Sequence, residues 1–127
     1  MPRFVLIVED SETCSETLEI AFEPIPDLVC RTARSEREAL RYLADAKGAS
    51  AVITDQDLGK GQASSGMTLI RKIRQQAKFE KLPVFLITGD SDPDVERKAY
   101  DAGATAFFRK PYSPAAVRRT LEGLLCH

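Results

Sequence analysis

The sequence predicts an α/β domain built from five strand–helix repeats, (βα)5, around one parallel sheet. Apolar runs of strand length recur near 4–8, 28–32, 51–54, 84–88 and 105–109. They are continuously apolar rather than alternating, the pattern of strands covered on both faces. Between and after them, apolar residues recur at helical spacing, and such alternation implies parallel strands joined by right-handed crossovers.

The first run, Phe4-Val5-Leu6-Ile7-Val8, stops at Glu9-Asp10. The first helix carries Cys14, Leu18, Ala21 and Phe22 on one stripe, with Asp10 or Ser11 as its cap. The second strand follows near residue 28. Ser35, with Glu38 three residues on, reads as a capping box opening a helix striped by Leu40, Leu43 and Ala44. The third strand, Ala51-Val52-Ile53-Thr54, ends at Asp55. An irregular segment over 59–66 precedes a helix striped by Met67, Ile70, Ile73 and Ala77. Pro83 opens the fourth strand. Asp92-Pro93 reads as a cap followed by proline at the first helical position, before Val95, Ala99 and Ala102, and Gly103 suits that helix's end. The fifth strand leads to Lys110-Pro111. Ser113-Pro114 repeats the cap-then-proline signal ahead of Val117, Leu121, Leu124 and Leu125.

With 127 residues, 43% hydrophobic and 29% charged, the chain suits one domain over 1–127 that buries a core and stays soluble. The balance of 18 basic and 19 acidic residues argues against a protein that coats nucleic acid. Arg71-Lys72, Arg74 and Arg118-Arg119 read as solvated helix faces. No apolar stretch approaches the ~20 residues of a membrane span. The first strand-like run, ended by two acids, does not resemble a secretory leader. Cys14, Cys30 and Cys126 are scattered, with no CxxC, and read as reduced, mostly buried thiols of a cytosolic protein. The single histidine is His127, which argues against a Ser-His-Asp triad, a His-containing zinc site or a histidine base.

In doubly wound sheets, ligands bind beyond the carboxyl ends of the strands. Glu9, Asp10, Asp55, Thr88 and Lys110 all fall at such ends. Two unit charges ~4 Å apart repel by about 4 kcal/mol at an effective dielectric of ~20, so this crowd of carboxylates calls for a divalent cation. Asp10 and Asp55 are hard oxygen ligands suited to Mg2+, with Glu9 acting through a bound water and Asp57 through its backbone carbonyl. Beside the metal, Asp55 can act as a nucleophile and form an aspartyl phosphate. Lys110 can hold phosphoryl oxygens as a point charge, and Thr88 offers a hydroxyl to another. Asp57 and Asp90 add further acids just past the ends of the third and fourth strands. Gly59-Lys60-Gly61 fits neither GxGxxG nor GxxxxGK[ST], so nucleotide binding is not expected there.

Over essentially its whole length the chain resembles the receiver domains of two-component response regulators. The matching pieces are Val5-Leu6-Ile7-Val8-Glu9-Asp10, Val52-Ile53-Thr54-Asp55, Leu86-Ile87-Thr88-Gly89, Ala102-Gly103-Ala104 and Lys110-Pro111, in that order. The resemblance implies a flavodoxin-like sheet of order 2-1-3-4-5. It implies that Asp55 is the phosphoacceptor, taking its phosphoryl group from a phosphohistidine on a histidine kinase or phosphotransfer protein. Glu9 and Asp10 become the acidic pair for Mg2+, Thr88 the switch hydroxyl and Lys110 the phosphate-binding lysine. Pro111 is expected to follow a cis bond, and Phe107 to be the aromatic that turns inward with the switch. The face formed by the fourth helix, fifth strand and fifth helix would meet a downstream target or output domain, and is a candidate for pairing two copies. The loop after Asp55 departs from the family: Gly59 stands where proline is usual and Gly66 comes about three residues late. Gly89 replaces the common alanine and leaves room beside the site.

Asp55-Gln56-Asp57 also resembles the opening motif of haloacid dehalogenase-like Mg-dependent phosphatases, but a full βαβα unit precedes Asp55 and Lys110 follows the acidic stretch Asp90–Asp94. A phosphorylation-independent interaction module is the third option, against which the Asp10, Asp55 and Lys110 set speaks. The expectation is therefore a cytosolic phosphorylation switch and not an enzyme, either standing alone or as the receiver of a longer regulator or hybrid kinase.

Overall fold

A computed structural model of the chain describes residues 3–45, 48–58 and 65–125. The elements run β1 (Arg3–Val8), α1 (Glu12–Phe22), β2 (Leu28–Ala33), α2 (Glu36–Asp45), β3 (Ala51–Asp55), α3 (Gly66–Arg74), a 3-10 turn (Ala77–Phe79), β4 (Val84–Thr88), α4 (Val95–Ala102), β5 (Ala106–Arg109) and α5 (Pro114–Leu125). The strands make one parallel sheet in the order β2-β1-β3-β4-β5. This is the predicted fold class, with the order the receiver resemblance implies.

Strand alternation divides the core into two layers. Val5 and Ile7 of β1, Ala51 and Ile53 of β3, and Phe85 and Ile87 of β4 face Leu18 and Phe22 of α1 and Val117 and Leu121 of α5. Leu6, Val8, Val52, Val84 and Leu86 face the other way, against Ala39 and Leu43 of α2, Leu69, Ile70 and Ile73 of α3, and Val95 and Ala99 of α4. The sheet is thus sandwiched between two helical layers, which is why β3 and β4 are buried throughout. Burying each such Leu, Ile, Val or Phe contributes roughly 1.5–3 kcal/mol, so the three central strands form the most strongly held part of the molecule.

Edge position explains where the sequence reading fails. β2 alternates between exposed and covered residues, because it flanks the sheet and α1 and α2 do not blanket it. In α2 it is Ala39, not Ala44, that joins Leu43 in the core. Ala77 lies past α3, exposed in the 3-10 turn. Cys14 and Cys30 are free thiols but only half-buried; Cys126 and His127 lie outside the described residues, as do Gly59 to Ser64 of the irregular segment.

The capping signals hold with one shift. Ser35 Oγ accepts from Glu38 N–H (3.1 Å) and Ser113 Oγ from Ala116 N–H (3.2 Å). α4 proper begins at Val95, but Asp92 Oδ1 accepts from Asp94 N–H (2.9 Å) and Asp92 C=O from Val95 N–H (3.2 Å), so the Asp92-Pro93 signal builds a lead-in turn. Gly103 closes α4 at φ 116°, the left-handed conformation that favours glycine.

The basic face of α3 is not simply solvated. Lys72 pairs with Glu36 of α2 (2.8 Å). Arg74 lies half-buried, donating from Nε to Gly103 C=O (2.9 Å) and from Nη1 to Phe79 C=O (2.8 Å). It ties the end of α3 to the α4–β5 turn, so its planar set of donors serves the fold rather than a partner.

Candidate functional site

In a parallel sheet all carboxyl ends lie on one edge, and register decides which residues meet there. β1 and β3 are neighbours with Val8 opposite Thr54, so the next residues, Glu9 and Asp55, stand side by side. β4 and β5 pair Thr88 with Arg109, which puts Lys110 one step beyond Thr88. Carboxylate oxygens of Glu9, Asp10 and Asp55 lie within 4.8 Å of one another. Lys110 Nζ donates to Asp55 Oδ2 at 3.0 Å. The predicted constellation of Glu9, Asp10, Asp55 and Lys110 is therefore brought together by residues far apart in the chain.

Burial differs across the group. Asp55 is 5% exposed and Glu9 6%, whereas Asp10 is exposed at the rim. The cap of α1 is Ser11, whose Oγ accepts from Cys14 N–H (3.4 Å), not Asp10. Glu9 Oε1 accepts from Ser11 N–H (3.1 Å). Burial, reinforced by the charge of Asp55, pushes the Glu9 carboxyl up to about 8. Partial burial works against the Lys110 ammonium, but its hydrogen bond with Asp55 and the charges of Asp55 and Glu9 outweigh this and raise its pKa. Burial likewise raises the neighbouring Tyr112, with the Cys14 and Glu9 charges adding to it.

The donor set fits a divalent metal ion. All three groups offer hard oxygens, and among the described residues Lys110 is the one ammonium seen to bond the cluster; burial first, and the Asp55 charge second, raise the Glu9 carboxyl beside it. Lys110 occupies only one oxygen of Asp55.

Thr88 is 1% exposed, and its Oγ1 accepts from Asp90 N–H at 3.0 Å. By strand alternation it shares the face of Val84 and Leu86, the α2–α4 side, while Asp55 shares that of Ala51 and Ile53. Phe107 lies on the same side as Thr88, half-buried against that layer. Asp57 is exposed; its N–H points to Asp55 Oδ1 at 3.4 Å, and its backbone bridges to Ser65. The Lys110-Pro111 bond is cis. A Cβ on Gly89 would meet Lys110 Cδ at 3.8 Å, an ordinary contact, so the glycine leaves only a methyl-sized space there.

Two residues with structural weight escaped the sequence reading. Gln56 Oε1 accepts from Met67 N–H (2.9 Å) and Gln56 C=O accepts from Gly66 N–H (3.0 Å), so it sets the start of α3 beside Asp55. Arg109 Nη1 donates to Asp90 C=O. Neither lies on an apolar period, and long-range bonds to backbone leave no sequence pattern; only the position of Gln56 directly after Asp55 offered a hint.

Fold and site together define a doubly wound α/β domain with an acidic, lysine-bearing pocket at the carboxyl edge of its sheet. Residues 5–122 match the response regulator receiver domain family, and the chain belongs to it. It is 24% identical over 121 residues to a chemotaxis protein CheY homolog of Campylobacter jejuni, covering 95% of this chain and 91% of that one. It is 27% identical over 124 residues to response regulator Rre1 of Synechocystis, covering 98% of this chain and 52% of that protein. The solved receiver domain of a signal transduction histidine kinase from Syntrophus aciditrophicus matches at TM-score 0.85 and 29% identity, covering 98% of this chain and 90% of that one. The chain is thus a CheY-like receiver of two-component signalling, acting by phosphorylation. The phosphatase alternative finds no support: Asp55 stands on the third strand, within a family match that spans most of the chain.

Proposed function

We propose that residues 1–127 form one receiver domain whose phosphoacceptor is Asp55. The observation that carries this reading is the Lys110–Asp55 contact inside a three-carboxylate cluster. Asp10, Asp55 and the backbone carbonyl of Asp57 would hold Mg2+, with Glu9 acting through a bound water. Mg2+ would supply the positive charge that lets a phosphoryl group approach these acids. An Asp55 carboxylate oxygen attacks phosphorus of a phosphohistidine on a kinase or phosphotransfer protein. The O–P bond forms as the P–N bond breaks, and the imidazole leaves with the electron pair. Lys110 holds a phosphoryl oxygen as a point charge and Thr88 donates its hydroxyl to another. Phe107, on the same side of the sheet as Thr88, turns inward as that hydroxyl moves. Asp57 and Asp90, both exposed near the site, orient or repel water and so set the lifetime of the phosphoryl group.

The output face is formed by α4, β5 and α5, where Tyr100 stands 46% exposed. It serves a downstream protein, an attached output domain or a second copy. Among the described residues no helix is long and apolar enough to cross a membrane; we place the protein in the cytoplasm, with no nucleic acid as its direct ligand. It is a signalling domain that supports its own phosphotransfer and dephosphorylation rather than an enzyme acting on a separate substrate.

Incubation with a labelled acyl phosphate and Mg2+ tests the reading. One base-labile label per chain is expected, abolished by Asp55→Asn and slowed strongly by Lys110→Ala. Label that survives Asp55→Asn unchanged, or rapid multiple turnover of a generic phosphatase substrate, would overturn it.

A further inference from the structure

Arg109 ends β5 as an exposed residue that the phosphoryl chemistry leaves unused. We propose that Arg109 is a positioning residue for phosphoryl transfer: it clamps the β4–α4 loop at rest and so sets how readily Thr88 reaches the phosphoryl group. The proposal rests on the receiver reading of Asp55 and Thr88.

The clamp is visible in three contacts. Arg109 Nη1 donates to the carbonyl of Asp90. Asp90 N–H in turn donates to Thr88 Oγ1 at 3.0 Å. Both backbone groups of Asp90 are therefore held, one by the switch hydroxyl and the other by Arg109. The Arg109 guanidinium also lies over Phe107, 5.3 Å from the ring centroid, within cation–π range. Thr88 and Arg109 are paired across β4 and β5, and Phe107 is two residues back on the same face. One side chain thus touches the ring and the loop that must both move when the switch operates.

The consequence follows from the bonds. When the Thr88 hydroxyl swings toward an oxygen on Asp55, Asp90 N–H must follow it or lose its acceptor. Arg109 resists the first course by holding the carbonyl of the same residue. An inward turn of Phe107 removes the ring from beneath the guanidinium. Arg109 therefore stabilises the resting arrangement at both points. Simple electrostatics predicts the opposite sign: a cation beside the acidic rim of Asp90, Asp92 and Asp94 should attract an anionic donor, and its loss should slow labelling.

Label uptake from a small acyl phosphate in Mg2+ should be compared for wild type, Arg109→Ala and Arg109→Lys, together with amide exchange at Asp90 in metal-free protein. Arg109→Ala is expected to label about tenfold faster, the factor carried by loss of one charge-assisted hydrogen bond, with Asp90 exchange accelerated similarly. Arg109→Lys keeps a cation and a donor and should stay near wild type. Arg109→Ala labelling no faster than wild type, or slower, overturns the clamp's role in transfer. Unchanged Asp90 exchange overturns the clamp itself, whatever the labelling. A wild-type chain that takes no label overturns the receiver reading, and the role in transfer with it. Because Arg109 is exposed, a melting curve suffices to show that the variants are folded.

Discussion

Glu9 directly follows β1 and is buried beside Asp55, and that burial, with the Asp55 charge, raises its pKa. Its carboxyl, pushed to about 8, stays protonated in the metal-free folded chain across a range in which the unfolded chain has ionised it, from about pH 4.5 upward. Between those values the folded state binds the extra proton, so stability falls as pH rises, by up to about 1.4 kcal/mol per pH unit, and levels off above about 8. Glu9→Gln should remove this slope. Urea melts of both proteins from pH 5 to 9, without divalent metal, check it; parallel stability–pH curves would show that Glu9 ionises freely in the fold.

At the scale of elements, the distance between α3 and the end of β3 governs how Asp55 is presented. Gln56 bonds the first turn of α3, and Gly66 lets that turn approach closely. A Cβ on Gly66 would sit 2.4 Å from the Asp55 carbonyl oxygen and 2.7 Å from Leu86 Cδ1. The first of these is backbone of a fully buried strand and cannot yield cheaply. Gly66→Ala is therefore expected to lose roughly 1–3 kcal/mol of stability, the usual cost of overpacking, and to slow labelling of Asp55 by displacing its strand end. Denaturant melts with a phosphorylation assay measure both. This explains why a glycine is needed at the start of α3 even though it arrives late in the sequence: what matters is its place against the strand, not its count from Asp55.

For the whole molecule, the conflict among Glu9, Asp10 and Asp55 opposes folding, and the two apolar layers overcome it. A divalent ion that binds only the folded state relieves it, adding about 2.7 kcal/mol when present at a hundred times its dissociation constant. Millimolar Mg2+ should thus raise the melting midpoint by several degrees, and Asp55→Asn should shrink that increment. Scanning calorimetry with and without the ion decides; a midpoint indifferent to Mg2+ would show that crowding is not what the metal relieves.

The element order, the parallel sheet and the strand-end residues were legible in the amino-acid pattern. Apolar runs, helical stripes and caps are local, and a chain of alternating strands and helices has few ways to pack. The receiver motifs named Glu9, Asp10, Asp55, Thr88 and Lys110 because each closes a strand. The receiver motifs implied the sheet order, but the packing of helices against it is what leaves β2 alternating where β3 and β4 are buried throughout. Only the tertiary structure gave work to Gln56, Arg74 and Arg109, whose bonds reach backbone groups of other elements. It alone put Lys110 on Asp55, 55 residues back in the chain. Register between neighbouring strands sets such contacts, and it comes from matching the apolar patterns of strands distant in the chain, so one strand read alone does not name its partner residue.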